Sequence, residues 1–220
     1  MNIIAIPFSI IAEWMCFLAS ILLLKTVPIK FWKWFSPYLA AIAVLETYCY
    51  YVKHTSIHRV DNQWLYNYAF ILCIIFHLYI FSKVINTISA KKICLICVLI
   101  LIGVYGFDFS IQGISNYFYT TNTTLNGIII MLSLVYYYSL FKQDEFKDIL
   151  VEPEFWFVTG CLIYFTTSTG VIALHKQILA QSEINQFPIR YVILNFLNLI
   201  MYGCWIKSFL CLKKNQVYSQ

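Results

Sequence analysis

The chain has 220 residues, 61% of them hydrophobic and 11% charged, with a formal net charge of +5 and a mean hydropathy of +0.74. A soluble domain of this length cannot bury so much apolar surface in one core, so composition excludes that class and points to a polytopic membrane protein. The small, scattered positive balance excludes a nucleic-acid binder.

Seven apolar runs are long enough to cross roughly 30 Å of hydrocarbon as helices. Residues 3–24 form the first. Met1-Asn2 supplies no basic flank and no Ala-x-Ala-like site follows, so this run reads as a retained span rather than a signal peptide. After Pro28, the segment Phe31-Trp32-Lys33-Trp34-Phe35 has the character of an interfacial aromatic belt leading into span 2, 36–52, which carries Glu46. His54, His58 and Asp61 lie in the next loop; the two histidines are spaced to share a metal with Asp61 only if that loop is helical. Exposed loop residues are the simpler reading. Span 3, 63–84, opens on Trp64 and contains Asn67 and His77. Span 4, 93–109, begins with Cys94-Leu-Ile-Cys97 and ends near Asp108. The CxxC spacing has no second pair or nearby His, and all eight cysteines fall in or beside apolar runs, where they act as small hydrophobes.

Span 5, 123–142, carries Asn126. The acidic, amphipathic loop 143–154 follows; its Asp144, Glu145, Phe146 and Asp148 form a candidate docking segment for a cytoplasmic partner. Span 6, 154–175, contains four consecutive hydroxyl residues, Thr166–Thr169. Span 7, 190–212, contains Asn195 and Asn198. Pro37, Pro153 and Pro188 sit at or just before helix starts, where a missing N–H costs nothing.

Eleven lysines fall on one side of this arrangement: Lys25, Lys30, Lys33, Lys83, Lys91, Lys92, Lys142, Lys147, Lys207, Lys213 and Lys214. The other side has Lys53, Arg59, Lys176 and Arg190. The positive-inside rule then predicts an all-α, seven-transmembrane-helix bundle forming a single domain. Its N-terminus is outside, its C-terminus cytoplasmic, and its home the inner membrane.

That orientation places Glu46, Asn67, Asp108, Asn126, Thr166, Thr169, Asn195 and Asn198 in one outer layer. Helical spacing gathers polar groups on single faces: Ser9, Glu13, Cys16 and Ser20 on helix 1; Asn126, Ser133 and Tyr137 on helix 5; Tyr191, Asn195, Asn198 and Tyr202 on helix 7. Such groups face the bundle interior or a polar cavity, because lipid cannot satisfy them. The eight outer-layer residues are therefore the predicted ligand-binding set. Thr166 and Thr169 share a face toward the pocket, while the hydroxyls between them can bond carbonyls one turn back.

Retinal would need a lysine midway along helix 7, and Lys207 lies near the cytoplasmic end. Zinc hydrolysis would need about three ligands, and the four histidines are dispersed. No nucleophile elbow, P-loop or dinucleotide fingerprint is present. No cofactor or metal is expected, and nothing in the sequence demands catalysis.

The segments NQWLYNYAFILCIIFHLYIFSK, LSLVYYYSLFK, EPEFWFVTGCLIYF and NFLNLIMYGCWIKSFL resemble a family of small seven-helix integral membrane proteins carried by bacteria of the Bacteroidota. In that family the resemblance matches Glu46 to a shared acid of helix 2, and Glu154, Phe155 and Trp156 to a shared opening of helix 6. Cys73 stands where many members carry a second acid. The resemblance implies a membrane partner of sensory signalling, acting beside a protein such as a histidine kinase. The expected function is thus a receptor-like or accessory sensor, taking a small or lipid-borne ligand from outside or from the surrounding lipids. The alternatives are an intramembrane lipid-modifying enzyme using Glu46 and Asp108 as acid and base, and a homo-oligomeric pore or accessory protein of a bacterial defence locus.

Overall fold

The computed structural model describes residues 7–55, 62–85, 88–142, 148–174, 177–178, 180–182 and 188–217, and among them every regular element is helical. Seven long helices follow one another: α1 (Phe8–Leu24), α2 (Phe35–Thr55), α3 (Gln63–Val84), α4 (Ile88–Gln112), α5 (Tyr119–Phe141), α6 (Pro153–Ala173) and α7 (Ile189–Val217). Five of them, α3 to α7, contain stretches long and apolar enough to cross a membrane. α1 is apolar but has only 17 residues. The chain is thus a helical membrane protein.

Local chemistry sets the helix ends. Pro7 stands immediately before α1, so this helix begins inside the expected span. Pro153 is the first residue of α6, where its absent N–H leaves no bond unmade. α4 stops at Gly113, whose φ of 65° suits a residue without Cβ and lets its N–H reach the Phe109 carbonyl at 3.0 Å. At its other end α4 takes in Lys91 and Lys92, five residues before the expected start. Their long stems allow helix to continue past the apolar core while the ammonium groups stay exposed.

Helices consecutive in the chain run antiparallel, whereas α1 and α7 run parallel. Ser20 at the end of α1 bonds Ser36 at the start of α2 at 2.9 Å. Tyr137 near the end of α5 meets Thr159 near the start of α6 at 2.6 Å. α1 and α7 lie side by side and close a ring through α2, α3, α5 and α6. α4 packs outside that ring, against α3 and α5. Among its described side chains it buries only the stripe Ala90, Cys94, Leu101 and Asp108, and exposes Leu95, Leu99, Ile102 and Phe107, a surface suited to lipid.

The bundle has two unlike ends. Ten described lysines cluster at the end bearing the C-terminus, and all are exposed. Lys53 and Arg190 are the only described Lys or Arg residues at the end bearing the N-terminus. Near the lysine-rich end the interior is filled by aromatic rings. Phe35 is the hub, with ring centroids of Trp32, Phe76, Phe157, Trp205 and Phe209 at 5.1, 4.9, 5.5, 5.4 and 5.2 Å. Edge-to-face rings at such spacing add about 0.5–1.5 kcal/mol per pair beyond the area they bury. This aromatic plug fills the ring near that end.

Candidate ligand pocket

Above the plug the ring is hollow. A cavity of about 1170 Å³ opens at the N-terminal end and is lined by α1, α2, α3, α5, α6 and α7, together with the linker before α5. No described residue of α4 contributes. Along α2 the lining runs from Lys53 at the rim down to Tyr38, a depth of about 22 Å at the helical rise per residue. Tyr38 and His77 sit at the floor, their rings in contact with the plug at Phe76 and Trp205.

Two acids face this space. Glu13 is only 3% exposed; its Oε1 accepts the Tyr202 hydroxyl at 3.2 Å, and its Oε2 has no protein partner. Glu46 accepts the Tyr66 hydroxyl at 3.4 Å, a long bond. The two carboxyls lie within electrostatic reach of one another, and no cationic side chain among the described residues compensates either. Two further buried polar atoms on the lining lack partners. His77 donates from Nδ1 to the Cys73 carbonyl at 2.9 Å, so its Nε2 is an acceptor, and that atom is unpartnered. The Nδ2 of Asn126 is an unpartnered donor. Most buried polar atoms in folded proteins are hydrogen-bonded. Glu13, His77 and Asn126 are exceptions that share a single cavity.

Four of the eight predicted ligand residues line the pocket: Glu46, Asn126, Asn195 and Asn198. Asn195 is also tied to the entrance of α1, its Oδ1 accepting the Ser9 N–H at 3.2 Å. The other four belong elsewhere. Asn67, fully buried, clamps the α4–α5 linker: it donates to the carbonyls of Ile114 and Asn116 at 2.8 and 2.7 Å and accepts the Phe118 N–H at 3.1 Å. Asp108, also fully buried, accepts both the N–H and the hydroxyl of Thr121, each at 2.8 Å. This carboxylate holds the start of α5 and does not line the cavity, so Asp108 and Glu46 do not form an acid–base pair. Thr166 is exposed on the outer surface, and Thr169 bonds back to the Phe165 carbonyl at 2.8 Å.

Ser168, not either threonine, is the hydroxyl of that run that lines the pocket. The face of α6 is set by the buried stripe Phe157, Cys161, Phe165 and Ser168, and that stripe is readable as helical spacing in the sequence. Glu13 is outside the eight predicted ligand residues, although its stripe with Ser9, Cys16 and Ser20 is legible in the sequence. His77, the lining tyrosines, Lys53 and Arg190 carry no signal that separates them from packing or interface residues.

Of the predicted partner-docking residues, Asp144, Glu145 and Phe146 lie outside the described residues, as do His58, Asp61 and His175. Asp148 is exposed and caps a short 3-10 turn by accepting the Leu150 N–H at 3.1 Å. That turn is strapped to α7: Asn215 donates to the Val151 carbonyl at 3.2 Å, and Ser208 to that of Pro153 at 2.7 Å. No group of three His, Cys, Asp or Glu residues with metal-binding geometry occurs among the described residues. No family model, curated protein or solved structure matches this chain.

Proposed function

We propose that this chain is a seven-span membrane receptor or accessory sensor of the bacterial inner membrane, with its N-terminus outside and its C-terminus in the cytoplasm. A small or lipid-borne ligand enters the pocket from the outer side, and the occupied state is reported to a cytoplasmic signalling protein. One observation carries the reading: a deep cavity above the aromatic plug is lined by Glu13, His77 and Asn126, each of which has one buried polar atom without a protein partner. A ligand offering complementary donors and acceptors recovers the free energy those atoms lose on burial, about 1–3 kcal/mol each.

The lysine-rich end supports the orientation. α7 supports the readout, because it lines the pocket with Asn195, Asn198 and Tyr202 and continues to Val217 at the opposite end. The closed plug speaks for a receptor over a pore within one chain.

Native mass spectrometry of the protein taken from its own membranes tests the binding step. The wild type is expected to carry a small molecule or lipid that Asn198→Trp, which fills the pocket, no longer retains. Identical bound species in both would sink the reading.

A further inference from the structure

The chemistry of the ligand can be narrowed, on the premise that the cavity is a ligand site. Four formally charged side chains line it among the described residues: Glu13, Glu46, Lys53 and Arg190. Their charges sum to zero and are sorted by depth. Lys53 and Arg190 are exposed at the rim. Glu46 lies about 10 Å below Lys53 along α2. Ser9 is level with Asn195 through their hydrogen bond, which sets Glu13 about 13 Å below Arg190. The acids of the pocket therefore lie at depth and its basic residues at the mouth.

We infer that the pocket is built for a zwitterion, its ammonium group held between the Glu13 and Glu46 carboxylates and its anionic group at the rim with Lys53 and Arg190. The unpartnered atoms on the lining are two acceptors and one donor. Glu13 Oε2 and His77 Nε2 are acceptors on the deeper lining, fit for an N–H-rich group; an ammonium has three donors and no acceptor. Asn126 Nδ2 is a donor about 10 Å below the start of α5, fit for an oxygen of the ligand. Tyr66 and Tyr202 hold the carboxylates through their hydroxyls, and Tyr38 and Tyr164 add aromatic side chains to the wall. A simple cation would be repelled at the rim and a simple anion at depth. The flexible stems of Lys53 and Arg190 let the rim charges follow ligands of different length. A free amino acid-like molecule and the headgroup of a zwitterionic lipid share this chemistry.

Thermal denaturation in nanodiscs of phosphatidylglycerol, which lacks an ammonium group, tests the inference at neutral pH. γ-Aminobutyrate and glycerophosphoethanolamine probe soluble zwitterions; butylamine and butyrate carry one charge each; phosphatidylethanolamine mixed into the disc probes the lipid source. At least one zwitterion is expected to raise the melting temperature, with an apparent affinity at least tenfold above butylamine and butyrate. Loss of one partner from a desolvated charge pair weakens binding by that factor or more. Glu46→Gln and Lys53→Gln should each weaken it while the ligand-free melting temperature holds. A response to the soluble probes assigns a free ligand; a response to phosphatidylethanolamine alone assigns a headgroup. Butylamine or butyrate matching the zwitterions, or no response to any probe, overturns the inference. If a co-purified molecule is still lost in Asn198→Trp, the pocket reading survives that result; if none is, both fall.

Discussion

Asp108 and Glu46 are both acids within apolar helices, and their surroundings give them different work. Both oxygens of Asp108 are engaged inside the protein, Oδ1 with the Gln112 amide at 3.3 Å and Oδ2 with Thr121. Asp108→Ala should therefore lower stability by about 2–4 kcal/mol, since it strips a charged acceptor from two buried donors, and leave ligand affinity unchanged. Thermal denaturation and binding measured on one preparation check both halves. Asn67→Leu should behave similarly, because it removes the partner of two linker carbonyls and of the buried Phe118 N–H. In the hydroxyl run the expected contrast is sharp. Thr166→Leu places an apolar side chain on an exposed face and should leave both stability and binding intact, whereas Ser168→Leu should weaken binding. The reverse pattern would mean that α6 presents another face to the pocket. Sequence spacing locates a polar face, yet cannot separate a residue that holds a linker from one that waits for a ligand. Asn67 and Asn126 look alike in sequence; only the partners at the end of the side chain tell them apart.

At the scale of elements, α6 and α7 form the tightest seam. A Cβ added at Gly160 would stand 2.9 Å from the Cys204 Cβ and 3.2 Å from the Met201 carbonyl oxygen. Gly160→Ala should thus separate the two helices and cost about 1–3 kcal/mol, an overpacking penalty, with Cys204→Gly recovering part of it. A double-mutant cycle by thermal denaturation measures the coupling. Hydrophobic runs made most helix positions legible, and α3 has the same bounds as its predicted span, Gln63–Val84. Ends that pass through polar sequence were not. α5 starts at Tyr119 among threonines, and α7 continues through Lys213 and Lys214, since helix persists wherever its own hydrogen bonds are made and needs no apolar side chains to do so. The outlying place of α4 was also hidden: it is the most hydropathic of the candidate spans, yet hydropathy does not tell a lipid neighbour from a protein one.

For the whole molecule, the asymmetry of charge between the two ends makes topology testable. In intact cells a membrane-impermeant maleimide should label Lys53→Cys above the wild-type background. Lys213→Cys should be labelled only after permeabilisation. The opposite pattern would invert the proposed orientation. Phe35→Ala should cost about 3–5 kcal/mol, as loss of a large, fully packed aromatic does.

The plug also has an electrical consequence. On the proposed orientation, solution filling a cavity about 22 Å deep would carry the potential at its mouth down to its floor, so a membrane voltage would fall mainly across the aromatic layer rather than across the full thickness of hydrocarbon. The field there is correspondingly steep, while the glutamates higher in the cavity are largely shielded from it. His77 lies at the boundary between the two regions.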